Sequence, residues 1–386
     1  MNKIGGNKLI NFLIVSMGII FLLQWIPALR VPLIVLHITF LFLSNWKKAK
    51  FDTISILLII IFLYSVIQGM YIQKNLSLLK FLQSIVIMIL YIMYSLYSNA
   101  IAPTIKAKHL TSLSTFILVL FGLFLVSFNE WNLTRSAGLM GNPNITAHNL
   151  VMILPFSLFI KRNKRFYLIL SVLVIYGLIS FGSRSAALAL GLGLLGFLYF
   201  NRIQASNKKS FLIICYIFLS VFLSYKAIEV FKYFATEFNI TPNSADSHLF
   251  YMGYNGRDIL KDRALKDFNE GNVWFGAGFE GGKIKSETED TVLSVHDGFI
   301  ELLVRLGYIG SFLFIVLMIC FVKFILKIKN KRNQSVAIMS LVCLLSLSTN
   351  SSTFFVLNYY YFFFVLTFSI AYYSNYKRYD NATIKM

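Results

Sequence analysis

Charge is what this chain has least of. Asp, Glu, Lys and Arg make up 13% of its 386 residues, against 57% hydrophobic and 16% aromatic, and the mean hydropathy is +0.70. That leaves too little polar surface to cover a soluble domain, so the chain reads as an integral membrane protein. Acid is scarcer still, with 16 Asp and Glu facing 36 Lys and Arg for a net charge of +20. In a soluble protein such an excess suggests nucleic acid. In a membrane protein basic residues gather in cytoplasmic loops and set orientation, and no nucleic-acid partner is expected here. Cysteine is rare, and Cys215, Cys320 and Cys343 all lie inside apolar runs. They read as small buried hydrophobes, which gives no reason to expect a disulfide, metal site or redox cofactor. Repeats, low-complexity tracts and a linker to a second domain are also missing, so 1–386 reads as a single polytopic membrane domain. The first apolar run, behind Lys3 and Lys8, lacks a small-residue cleavage pattern and reads as an uncleaved first helix.

What the chain has in abundance is long apolar runs. Stretches near 9–29, 31–45, 53–72, 78–97, 110–128, 146–160, 166–181, 185–200, 210–228, 297–325, 335–349 and 353–374 predict an all-α membrane fold of roughly twelve transmembrane helices. Alternate connections are basic: Lys47, Lys48 and Lys50; Lys106 and Lys108; Lys161 to Arg165; Arg202, Lys208 and Lys209; Lys327 to Arg332; Lys377 and Arg378. That alternation predicts both ends in the cytoplasm and the remaining connections outside, among them 129–145, the tight turn at 181–184 and one large extracytoplasmic loop, 229–295. Of the 16 acidic residues, only Asp52 and Asp380 fall on the basic side.

The large loop holds most of the polar sequence. Asn255-Gly256 is a turn signal, and 258–268 carries Ile259, Leu260, Ala264, Leu265 and Phe268 between charges. This spacing predicts an amphipathic helix on the outer surface, ended by Gly271. Trp274-Phe275-Gly276-Ala277-Gly278-Phe279 reads as a glycine turn, and after an acidic run His296-Asp297 opens the tenth span.

Several outer-face residues have the chemistry for a site. Arg184 stands at a boundary turn among Gly182, Ser183 and Ser185, where an arginine serves either as a snorkelling anchor or as a bidentate phosphate clamp. Arg257 opens the amphipathic helix, a place suited to anions, although on its own a salt bridge within a charged loop is the favoured account. His296 has the side chain of a general base, while Asp297 beside it is either a helix N-cap or a partner. Glu301 and Arg305 continue one and two turns beyond Asp297, a polar stripe that should face protein or water rather than lipid. Arg135, Gly138, Gly141, Asn142-Pro143-Asn144 and His148 form a turn-rich approach to the sixth span, readable as turn chemistry or as sugar contacts. The run Glu287, Glu289 and Asp290 reads as a solvated loop more readily than as a cation site.

Taken in this order, the stretch from Arg135 to Asn144, Gly182-Ser183-Arg184-Ser185, Gly256-Arg257, Phe275-Gly276-Ala277-Gly278 and His296-Asp297-Gly298-Phe299 through Glu301 to Gly307 and Gly310 resemble the O-antigen ligase and O-antigen polymerase superfamily of bacterial membrane glycosyltransferases. The motif-bearing region runs over 129–325. The resemblance implies transfer of a glycan from an undecaprenyl diphosphate carrier to a hydroxyl of an acceptor, a second glycan or a lipid A-core sugar, without cofactor or metal. It implies that Arg184 and Arg257 bind the diphosphate, that His296 is catalytic, and that Arg135, Asn142, Asn144, Asp297 and Glu301 are candidate substrate contacts. It further implies a bacterial inner-membrane location with the site facing the periplasm or cell exterior, and polysaccharide-assembly proteins as candidate partners. Asp297 departs from the pattern, where asparagine is commoner.

A transporter or flippase of lipid-linked glycans is the competing reading from another class, since roughly twelve spans suits it as well. Transporters usually show repeat symmetry and polar groups near the bilayer midplane. The spans here lack midplane acids and the charge is concentrated in one outer loop, which favours an outer-face enzyme.

Overall fold

A computed structural model describes residues 51, 53–72, 143–158, 164–181, 183–203, 207–237, 254–278, 283–285, 292–295, 297–328 and 330–349, with scattered helical positions between 32 and 119. The described chain is helical apart from one short ribbon. Its helices are α1 (Thr53–Ile72), α2 (Pro143–Ser157), α3 (Lys164–Phe181), α4 (Arg184–Arg202), α5 (Asn207–Glu237), α6 (Tyr254–Glu270), α7 (Gly298–Leu326) and α8 (Lys331–Ser348). The ribbon pairs β1 (Lys283–Lys285) antiparallel with β2 (Val292–Ser294), Ile284 opposite Leu293.

Long apolar runs become helices because a bilayer offers nothing else to bond the backbone groups. Among the described residues, three helices are long and apolar enough to cross a membrane: Arg184–Arg202, Lys209–Ala227 and Gly298–Leu326. They correspond to the expected eighth, ninth and tenth spans. Thr53–Gln68 and Ile169–Leu178 are shorter apolar helices. The spans expected near 9–29, 31–45, 78–97, 110–128 and 353–374 lie wholly or almost wholly outside the described residues.

α8 is the hub of the described fold. It packs on α2, α4, α5 and α7, and from Asn333 to Leu344 each of its side chains is buried, including Ser335 and Ser340. A helix enclosed on every side is a core helix. Close approach to α4 depends on Gly193, where a Cβ would fall 2.5 Å from Cys343 Sγ. The opposite faces of the outer helices are apolar and exposed, as at Ile169, Val172 and Ile175 on α3 or Phe218 and Phe222 on α5, which is the pattern of lipid-facing surface. At one end, Arg332 Nε donates to the Leu158 carbonyl at 2.8 Å, tying the end of α2 to the start of α8. At the other end lie the starts of α2, α4 and α7.

Candidate functional site

The amphipathic helix forms, ends at Gly271, and rests on protein. In α6, Ala264 and Phe268 are buried against Val295 and Val304, with Leu260, Val273, Ile300 and Leu303 packed alongside. Leu260, Ala264 and Phe268 recur every four residues and so share one face. The Gly271 N–H closes the last turn on the Phe268 carbonyl at 3.2 Å. Asp262, Arg263, Lys266 and Asp267 stay exposed. This second apolar cluster holds α6 against the first turns of α7.

Polar contacts make the same junction specific. Asp297 is the N-cap of α7, and its Oδ1 accepts from the Phe299 and Ile300 N–H groups, both at 3.1 Å. Those are two of the orphan donors that every helix start leaves. Oδ2 lies 3.0 Å from Lys261 Nζ of α6. The Tyr225 hydroxyl, near the end of the apolar stretch Lys209–Ala227 of α5, donates to the same carboxylate at 3.3 Å. Asp297 is only 1% exposed, so a buried charge is balanced by a cation, two amides and a phenol. The capping role that the sequence allowed is formed.

One turn on, Glu301 is equally buried at 1%. Its Oε1 pairs with Arg305 Nη2, and its Oε2 is buried with no hydrogen-bond partner among the described residues. The polar stripe on α7 therefore faces protein, as its chemistry requires.

Gly307 then interrupts the helix. Its φ of 66° and ψ of −172° are non-helical, and the bonds that Tyr308 and Ile309 would make to Val304 and Arg305 are exchanged with the glycine turn. Ala277 N–H donates to the Val304 carbonyl at 2.8 Å and Gly278 N–H to that of Arg305 at 3.0 Å, while Tyr308 N–H donates to Val273 at 2.9 Å and Ile309 N–H to Trp274 at 3.2 Å. Two donors and two acceptors freed by the break are thus matched one for one, which a low-dielectric setting demands. Only glycine fits: a Cβ on Gly276 would fall 2.4 Å from the Gly307 nitrogen, and one on Gly307 2.4 Å from the Trp274 carbonyl oxygen. From α1, Gln68 donates to the Phe275 and Arg305 carbonyls, and the Tyr64 hydroxyl to that of Leu306 at 2.6 Å.

Arg184 belongs to a neighbouring cluster. It is the first residue of α4, behind Ser183 as N-cap. Ser185 Oγ lies 2.9 Å from Nε2 of His148, a buried residue of α2, and 3.4 Å from Ser183 Oγ. The turn-rich motif before the sixth span and the Gly182-Ser183-Arg184-Ser185 turn therefore meet. Asn144 sits in the first turn of α2. Arg257 lies in the first turn of α6, one turn ahead of Lys261. His296, Arg135 and Asn142 lie outside the described residues, as does the acidic run.

Three participants do not stand out in the sequence as site residues. Lys261 is one charge among many in the loop, although its spacing of four from Arg257 is visible. Tyr225 is one of 21 tyrosines. His148 reads only as part of a turn-rich stretch.

An interrupted span capped by a buried polar junction, in a helical bundle with apolar outer faces, is the pattern of a membrane protein with a polar cluster at one end. Residues 169–315 match the model of the O-antigen ligase family. The match supports the resemblance drawn from the motifs to the O-antigen ligase and polymerase superfamily. It covers Arg184, Arg257, His296, Asp297, Glu301, Arg305, Gly307 and Gly310, and leaves Arg135, Asn142 and Asn144 ahead of it. A search of curated proteins returned no match.

Proposed function

We propose that this chain is a membrane glycosyltransferase that passes a glycan from undecaprenyl diphosphate to an acceptor sugar hydroxyl on the outer face of a bacterial inner membrane. The observation that carries the reading is the junction at Asp297, which lies within the matched region. There the residue following His296 is tied by an ion pair to the helix that begins with Arg257 in its first turn.

The chemistry follows from the residue types. The acceptor oxygen attacks the anomeric carbon of the donor glycan, the bond from that carbon to the diphosphate oxygen breaks, and the lipid diphosphate leaves with the electron pair. Arg184 and Arg257 offset the charge gathering on that leaving group. His296, neutral, takes the acceptor proton. Asp297 and Lys261 hold the loop helix at the start of α7, so that cation and base are positioned by rigid elements. Asn144, Glu301, Arg135 and Asn142 are assigned to sugar contacts, Glu301 through its unpaired oxygen. The acceptor, another lipid-linked glycan or a lipid A-core sugar, decides between polymerase and ligase.

The test is donor consumption by purified protein, with and without acceptor, comparing the wild type with His296→Ala and Arg257→Ala. Transfer by the wild type alone, with release of lipid diphosphate, supports the reading, and product length separates polymerase from ligase. An intact donor that is moved across proteoliposomes overturns it in favour of translocation.

A further inference from the structure

We propose that the outer part of α7, residues 298–306, lies along the membrane surface, and that Trp274, Phe275 and Tyr308 form an aromatic edge seated in the headgroup region of the outer leaflet. The inference concerns the bilayer as partner and stands without the catalytic reading.

Three helices serve as rulers from the basic end of the bundle. At a rise of 1.5 Å per residue, α1 climbs about 23 Å from Thr53 to Gln68, α5 about 24 Å from Lys209 to Tyr225, and α7 about 27 Å from Leu326 back to Tyr308. With Thr53, Lys209 and Leu326 taken at one level beside the basic connections, Gln68, Tyr225 and Tyr308 reach the same depth to within about 4 Å, close to the far edge of a hydrocarbon core about 30 Å thick. Yet Tyr225 bonds the Asp297 side chain while Gln68 bonds the Arg305 carbonyl. Those two α7 residues stand about 12 Å apart along the helix axis. A segment that runs close to the membrane plane brings both ends to one depth, and the non-helical Gly307 supplies the bend.

The surface chemistry agrees. Tyr308 heads a stripe with Phe312, Ile315 and Ile319, on one helix face and 47–65% exposed. That stripe continues the lipid-facing surface up to the bend. At its head, the Trp274 ring meets Tyr308 edge-on at 5.9 Å, and Trp274 is 62% exposed. Trp and Tyr in such a position are at home between acyl chains and headgroups. The consequence is that the Asp297, Glu301 and Arg305 junction stands at headgroup depth.

The test uses the full chain with Trp25, Trp46 and Trp131 replaced by Phe, reconstituted in phosphatidylcholine vesicles brominated either high or low on the acyl chains. Trp274 fluorescence is expected to be quenched about twofold more by the shallow bromines, in keeping with an interfacial indole. Stronger quenching by deep bromines, or quenching by aqueous iodide with none by either lipid, overturns the proposal. A second measurement places spin labels at Ile300→Cys and Tyr308→Cys after changing the three native cysteines to Ala. An in-plane segment puts the labels within about 4 Å of one depth, whereas an upright one separates them by about 12 Å.

Discussion

Lys261 Nζ and Asp297 Oδ2 lie 3.0 Å apart, and this pair joins the amphipathic helix α6 to the start of the interrupted helix α7. The carboxylate is nearly sealed from water while a fifth of the lysine side chain remains exposed, at 21%. Breaking one side of such a pair leaves a buried charge without its partner. Lys261→Met is expected to destabilise the protein by about 3 kcal/mol, the lower end for buried pairs. Lys261→Arg should retain most of the stability. Thermal unfolding in detergent, followed through a double-mutant cycle with Asp297→Asn, should give a coupling of about 1 kcal/mol or more. Additive losses would show that the pair contributes little.

Asp297 has two jobs that substitution separates. Asp297→Asn keeps an acceptor for the Phe299 and Ile300 amides and surrenders the ion pair, whereas Asp297→Ala loses both. The alanine variant should be less stable than the asparagine variant by about 1 kcal/mol, the usual worth of an N-cap. Melting temperatures of the two proteins, side by side, decide this.

The seam between Gly276 and Gly307 admits no side chain. Both have positive φ, at 73° and 66°, and a Cβ on either meets backbone at 2.4 Å. Gly276→Ala and Gly307→Ala should each cost at least the 1–3 kcal/mol typical of a strained backbone position, roughly, with the clash added. Gly191, in the same bundle, has open space around it, and a methyl group there would meet nothing within 4 Å. Gly191→Ala should be neutral or stabilising by up to about 1 kcal/mol. Equal melting temperatures for all three variants would contradict the close approach.

Gln68 serves the break from a distant helix by donating to the carbonyls of Phe275 and Arg305. Gln68→Leu leaves those acceptors with fewer donors in an apolar setting, at a cost of about 1–3 kcal/mol. The loss should be local. Limited proteolysis is expected to cut near 272–278 faster in the variant, with the rest of the digestion pattern unchanged.

Glu301 tests the assignment of its Oε2, which has no hydrogen-bond partner among the described residues. Glu301→Gln keeps the shape and an acceptor for Arg305 but removes the charge. If a sugar hydroxyl bonds the free carboxylate oxygen, the catalytic efficiency of transfer should fall roughly tenfold to a hundredfold, the worth of a charged hydrogen bond. A variant that folds, melts near wild type and transfers at full rate would remove Glu301 from the substrate contacts.

The local elements are legible in the chain itself. The start of α7 at Asp297, the turn between α3 and α4, and an amphipathic helix stopped by Gly271 each depend on neighbours within a turn or two of the chain. Caps, glycine stops and apolar spacing act at that range, so the sequence carries them openly. The burial of Glu301 and Arg305 is legible for a similar reason, since charged groups on a membrane helix have nowhere else to go.

The amino-acid sequence by itself determined that this is a helical membrane protein, where its polar residues cluster, and which of its motifs resemble those of the O-antigen ligase family. The tertiary structure alone decided that α7 breaks at Gly307, because a glycine in an apolar run is equally compatible with a continuous helix. The break exists only because a turn some thirty residues earlier, together with Gln68 and Tyr64 from another helix, supplies the hydrogen bonds it forfeits. It likewise chose Lys261 and Tyr225 for Asp297 and Ser185 for His148. Pairings across such separations follow from which helix faces pack together, and that is a property of the assembled bundle.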